Sequence, residues 1–265
     1  MAESYPFSWL CGMVQLNDTF YPTGSYAHSF GLEGLVAEGV VRDRETLRAF
    51  LLISALPALR QTELPLTIHA WRAFSVEYEV GRARRDRGGA PSGRALPTTE
   101  ESEGRTEQVD WTKIGELCRL ASALKTASEA RLASENIGRQ RSELAAKLGG
   151  HPLAQEYLRR ATDERWPFSS AIASALEARV LEAPLEMALA SVFYANIAGL
   201  LAAAMKLLRL GQNGCQTLLT ELMGHAGETF TEAEKVPVDE IGWFNPWLDI
   251  AAARHETADG RMVIS

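Results

Sequence analysis

The chain has 265 residues, 46% of them hydrophobic, and a formal net charge of -7 at pH 7. That apolar content can build a sizeable core, in one large domain or two small ones. The acidic balance, with a pI near 5.4, argues against a nucleic-acid binder, whose domain would normally be basic.

Three cysteines, Cys11, Cys118 and Cys215, lie far apart with no CxxC spacing. Such a set suits buried free thiols in a reducing compartment. The N-terminus, MAESYPFSWLCGMVQL, lacks the basic region and long apolar core of a signal peptide. A cytoplasmic protein is expected.

Strand signals are weak and apolar spacing is mostly three and four, which predicts an all-α chain. Tyr5 to Leu16 reads as a first short helix, with Trp9 and Met13, or Leu10 and Val14, at helical spacing. A second runs from about Ser25, whose hydroxyl can cap it, to Glu38, and ends near Gly39. Asp43 is a good cap for the next, whose apolar face holds Leu47, Phe50, Leu51 and Ser54–Ala55. Pro57 and Pro65 break up the next stretch, and Leu66–Val80 gives another helix with Ile68, Trp71 and Phe74 inward.

From Arg82 to Gln108 the texture changes to RARRDRGGAPSGRALPTTEESEGRTEQ. Glycine, proline, serine and segregated charge leave almost nothing to bury, which is the composition of a flexible surface insertion. An arginine-rich nucleic-acid tether is disfavoured, because the acidic half would repel phosphate.

Asp110 caps a helix with Ile114, Leu117, Cys118, Ala121 and Leu124 on one stripe. Ser128–Leu148 continues as an amphipathic helix stopped by Gly149–Gly150, and His151–Pro152 opens a short one to about Thr162. Phe168–Glu182 gives another. Met187–Met205 contains no charge and reaches the length of a membrane span. Its many alanines supply little transfer energy, and no aromatic-basic belt flanks it. It is expected to be a central helix buried on all sides, with Pro184 in its first turn and no membrane involved. Gly214–Gly224 is helical, Gly227–Val238 reads as polar linker, and Ile241–Ala253 is a last aromatic helix with Trp243, Phe244 and Trp247. One all-α domain, residues 1–253, is therefore expected as a helical array around the 187–205 helix. The tail, 254–265, joins charge to a greasy Met262-Val263-Ile264 end, which suits a segment that orders on docking.

Catalytic apparatus is not legible. The histidines at 28, 69, 151, 225 and 255 are dispersed, no HExxH is present, and there is neither a phosphate loop nor a nucleophile elbow. A helical enzyme would need clustered carboxylates or histidines, and a peripheral membrane protein would need the 187–205 helix exposed.

The stretch LNDTFYPTGSYAHSFGLE, Leu16–Glu33, stands apart, because it packs turn formers, aromatics and hydroxyls more densely than a helix start requires. From Asp18 through Pro22, Gly24-Ser25-Tyr26 and His28-Ser29-Phe30-Gly31-Leu32-Glu33 it resembles the N-terminal signature of the urease accessory protein UreF family. Pro184-Leu185-Glu186 with the apolar run to Leu208 and Leu210-Gly211-Gln212 resembles that family's central helix and the turn after it. Leu248-Asp249-Ile250-Ala251, Arg254-His255-Glu256-Thr257 and Arg261-Met262-Val263-Ile264-Ser265 resemble its tail.

The resemblance implies an all-α, typically dimeric, cytoplasmic chaperone of urease maturation that is not an enzyme. It implies binding to the accessory protein UreD (UreH), recruitment of the GTPase UreG, and GTP-dependent delivery of nickel to apo-urease. Nickel would be handled by the complex, with no cofactor or metal held tightly by one chain. Tyr26 and Arg261 would cooperate in forming that complex, and Gln212 would face the GTPase. Gln216 joins Gln212 by helical spacing. His28, Arg254, His255 and Glu256 complete the candidate partner-binding set. Singly, each has a plainer reading: Tyr26 can pack at a helix start, His28 can lie on a helix surface, and Gln212 and Gln216 can be ordinary first-turn residues. The tail departs from the family pattern at Asp259-Gly260, where an aromatic residue more often precedes the arginine.

Overall fold

A computed structural model describes residues 8–18, 20–21, 31–78 and 106–255. Helix α1 spans Ser8–Gln15 and buries Met13, whereas Leu10, Val14 and Cys11 are exposed. Cys11 therefore departs from the expected buried thiols. Helix α2, Leu32–Ala37, comes directly after Gly31, and the proposed Ser25 cap lies outside the described residues.

Helix α3, Arg44–Phe50, begins with a capping box. Asp43 Oδ1 accepts from the Thr46 amide at 2.8 Å, and Thr46 Oγ1 accepts from the Asp43 amide at 3.1 Å. A π turn, Leu51–Ala55, then leads into α4, Leu56–Gln61. Its cause is Pro57. A proline ring clashes with the carbonyl four residues back, here that of Ile53, and lacks the N–H that would bond it. Widening to a π turn lets the Leu56 amide reach Leu51 O instead. Pro57 thus reshapes the helix without breaking it.

Pro65 is also absorbed. Helix α5 runs Glu63–Ala73, so Pro65 sits in its first turn, where a missing N–H costs nothing. The break falls instead at Thr62. Helix α5 stops well short of the expected Val80. Residues Val76–Tyr78 (β1) pair antiparallel with Thr106–Gln108 (β2), so a small two-stranded ribbon interrupts the all-α chain. The last three residues expected in the insertion are thus strand, and residues 82–105 lie outside the described residues.

Helix α6, Trp111–Ala123, is capped as expected, with Asp110 Oδ1 accepting from the Lys113 amide at 2.9 Å. Helices α7 (Ser128–Gly149), α8 (Pro152–Asp163) and α9 (Ser170–Val180) come next. They close around Tyr157, which is fully buried with Phe74 and Phe168 meeting its ring edge-on at 5.8 and 6.2 Å.

Helix α10, Leu185–Leu207, packs against α1, α2, α5 and α9. By length and composition it could cross a membrane, yet 61% of its apolar window is buried inside the fold. Pro184 is its N-cap residue. Burial is not all-round: Tyr194 and Met205 are exposed, and the helix buried along nearly its whole length is α9, through Ala171–Ala178. Alanine at half of those α9 positions lets α5 and α7 close in on either side.

Helix α11 is Gln212–Met223. Where polar linker was expected, Ala226–Ala233 forms α12. It stands because Phe230 meets Phe193 of α10 edge-on, with ring centroids 5.6 Å apart. The last helix, α13, spans Pro246–His255. It starts later than expected because Asn245, preceding a proline, is steered away from helical backbone. The Asn245 side chain instead accepts from the Leu248 amide at 3.2 Å as a cap. Trp243 and Phe244 therefore lie in the lead-in.

Candidate partner-binding site

Helices α2 and α13, far apart in the sequence, meet. Helix α13 lies on α2 at near-contact distance: a Cβ on Gly34 would fall 2.6 Å from the Ala251 carbonyl oxygen, and one on Gly31 would fall 2.8 Å from Leu248 Cδ1. Gly31 also holds φ +84, a left-handed conformation that glycine adopts without strain. The helix after the Tyr26 stretch is thereby joined to the helix leading into the tail.

Around this junction the surface is apolar. Phe244 is 82% exposed, Trp247 73% and Ile53, on the π turn, 71%. Val40, Trp243 and Ile250 are exposed beside them. A groove of about 510 Å³ runs between Val40, Ile53, Trp243 and Trp247. A smaller hollow of about 180 Å³ shares its wall of Phe50, Trp243 and Leu248 and holds the ion pair of Lys125 with Glu63. Exposed large apolar side chains beside a groove make this a candidate docking surface.

A second candidate patch opens at the turn after α10. Gln212 and Gln216, on the first turns of α11, are both exposed, as are Lys206 and Arg209 just before them. The face is braced from α3, where Arg48 Nε donates to Glu221 Oε1 at 2.6 Å. The hydrogen bonds with Arg48, the largest cause, hold the Glu221 carboxyl below its ordinary range.

Of the other predicted residues, Arg254 and His255 fall in the last turn of α13, and their side chains lie outside the described residues. Tyr26, His28, Glu256 and Arg261 also lie outside them. The chain segments that carry these residues adjoin α2 and α13, which the fold brings together.

One polar cluster escaped the sequence reading. Glu177 on α9 is 2% exposed. Arg141 of α7 donates from Nε to its Oε2 at 2.8 Å and from Nη2 to the same oxygen, while the Tyr21 hydroxyl donates to Oε1 at 3.2 Å. Burial raises the Glu177 carboxyl, with Arg141 opposing it. Burial, and then the Glu177 charge, push the Tyr21 phenol far up, so it stays a proton donor. A glutamate set in the apolar run SAIASALEARV was the available signal. Among the described residues no three His, Cys, Asp or Glu side chains gather as a metal site.

Comparison with known proteins agrees with the resemblance. Residues 41–223 match the model of the family described as UreF. The urease accessory protein UreF of Bacillus sp. (strain TB-90) is 25% identical over 97% of this chain and 99% of its own. That of Corynebacterium efficiens is 26% identical over 99% and 100%, and that of Cereibacter sphaeroides (strain ATCC 17023) is 28% identical over 96% and 97%.

Proposed function

Because the chain belongs to the UreF family of urease accessory proteins, we propose that it serves urease maturation as a non-catalytic helical scaffold. In this reading it binds a UreD/UreH-like protein and recruits a UreG-like GTPase, so that nickel, the cargo of the complex, enters urease with GTP hydrolysis. The observation that carries it is the exposed aromatic surface where α2 and α13 meet. Trp247, Phe244 and Trp243 offer large, rigid contact area at small entropic cost, which is the make-up of an interface hot spot. The UreD-like partner would sit there, with Tyr26 and Arg261 cooperating in forming the complex. The GTPase would take the Lys206, Arg209, Gln212 and Gln216 face.

A homodimer fits the outer stripe of α10. Met187, Ala190, Tyr194, Ala198, Ala202 and Met205 share one incompletely buried face, and small residues there allow close helix approach. A two-fold axis perpendicular to α10 at its middle would lay the two stripes antiparallel against each other.

Co-purification tests the reading. The intact chain, co-expressed with the UreD-like and UreG-like proteins of its own source, should retain both through gel filtration. Trp247→Ala with Phe244→Ser should lose the UreD-like protein while the thermal midpoint holds. Failure of the intact chain to retain either partner would overturn the assignment.

A further inference from the structure

The stretch resembling the family signature opens in a turn, and two side chains there, those of Asn17 and Tyr21, fasten it to the core. Asn17 Nδ2 donates to Met13 O at 2.9 Å and to Ser191 Oγ of α10 at 2.8 Å. Four residues on, Tyr21 reaches between α7 and α9 to Glu177. Within the turn the Tyr21 amide donates to Asp18 O at 3.0 Å, and the Phe20 amide to Asp18 Oδ1 at 3.2 Å. Neighbouring Phe20 points into solvent while Tyr21 is buried, so the turn has one defined face inward.

The division of acceptors on Glu177 is specific. Both Arg141 contacts fall on Oε2, and Oε1 is the atom that Tyr21 reaches. Packing alone would be served by a phenyl ring. A hydroxyl aimed at one carboxylate oxygen adds direction, because such a bond weakens steeply off its geometry.

We propose that Tyr21, held by the buried Glu177–Arg141 pair, is a positioning residue for partner recognition: it fixes the anchor point on the core from which the chain enters Pro22 and the rest of the signature stretch. The role in recognition rests on the reading of that stretch as a partner surface. Arg141 aligns Glu177, Glu177 aligns Tyr21, and the Asn17–Ser191 bond keeps the turn from pivoting about a single attachment.

Tyr21→Phe tests this, since it keeps the ring and removes only the hydroxyl. Hydrogen–deuterium exchange should speed up about fivefold or more in a peptide covering residues 16–33, while peptides of α7 and α9 exchange as in the parent chain. Affinity for the UreD-like protein should fall about tenfold. Adding Glu177→Gln to Tyr21→Phe should weaken binding much less than it does in the parent chain, because coupled residues are not additive. Unchanged exchange in 16–33, or a uniform rise across α7 and α9, would overturn the latch. Local acceleration with parent-level affinity would overturn its role in recognition. If the parent chain itself captures no UreD-like protein, the partner reading fails instead, and the exchange result still decides the latch.

Discussion

Gly34 of α2 and Ala251 of α13 touch through backbone: a β-carbon on Gly34 would lie 2.6 Å from the Ala251 carbonyl oxygen. A backbone oxygen, unlike the end of a flexible side chain, has nowhere to turn. Gly34→Val should therefore push α13 off its seat and cost about 1–3 kcal/mol, lowering the thermal midpoint by about 2–4 °C per kcal/mol. Gly227→Ala in α12 is the control, since nothing stands within 4 Å of its added carbon. Calorimetry of the two variants decides the matter, and equal midpoints would refute the close-contact account.

The Arg141–Glu177 pair gives a second test. Arg141→Met leaves a carboxylate buried without its cation, and the expected loss is about 3–5 kcal/mol. Arg141→Met with Glu177→Leu removes both charges and should cost less than Arg141→Met alone. Urea denaturation of both variants reads the difference. A double variant less stable than the single would show that the pair is not what holds α7 to α9.

Acid titration probes α8. Arg159 and then Arg160 hydrogen-bond Glu156 and hold its carboxyl at about 2, against an ordinary 4.5. The folded value lies below the unfolded one, so this pairing contributes fully above pH 4.5 and is lost as pH falls towards about 2. Glu156→Gln should flatten that part of the acid limb, most visibly at low salt. Superimposable urea midpoints for parent and variant between those pH values would count against it. Glu177 acts in the opposite sense. Its raised value means that its contribution is full below the ordinary carboxylate range and is lost as pH rises through the folded value.

Self-association through α10 is tested by Ala198→Glu, which sets a charge in the middle of the outer stripe. Sedimentation should show the parent as a dimer and the variant as a monomer with the same far-ultraviolet circular dichroism. A variant that stays dimeric would move the interface elsewhere.

Local chemistry was legible in the sequence and long-range support was not. Asp43 and Asp110 declared their helices because a carboxylate just before an apolar period caps the helix it opens. Helix α10 showed itself through sheer length of apolar run. Helix α12 did not, because Glu228, Thr231 and Glu232 make it look polar until Phe193 supplies the surface on which Phe230 packs. Pro57 signalled a disturbance truly, but single-residue rules do not say that a π turn will absorb it. At the candidate site, Gln212 and Gln216 share a face of α11 by their i, i+4 spacing, and that both are exposed is read only from the fold. The groove beside Trp247 needed Val40 and Ile53 brought in from distant sequence, and no local pattern announces that.

The seating of α13 on α2 also has a consequence for biosynthesis. Residue 34 leaves the ribosome long before residue 251, and at about 5–20 residues per second the delay is about 10–40 s. During that interval Leu32 and Leu35 have only part of their cover, and the wall formed by Trp243 and Leu248 does not exist. The wall beside α2 is thus completed only when α13, more than 200 residues further on, has been made. A chain halted before Trp243 lacks that wall and leaves the α2 side of the groove open.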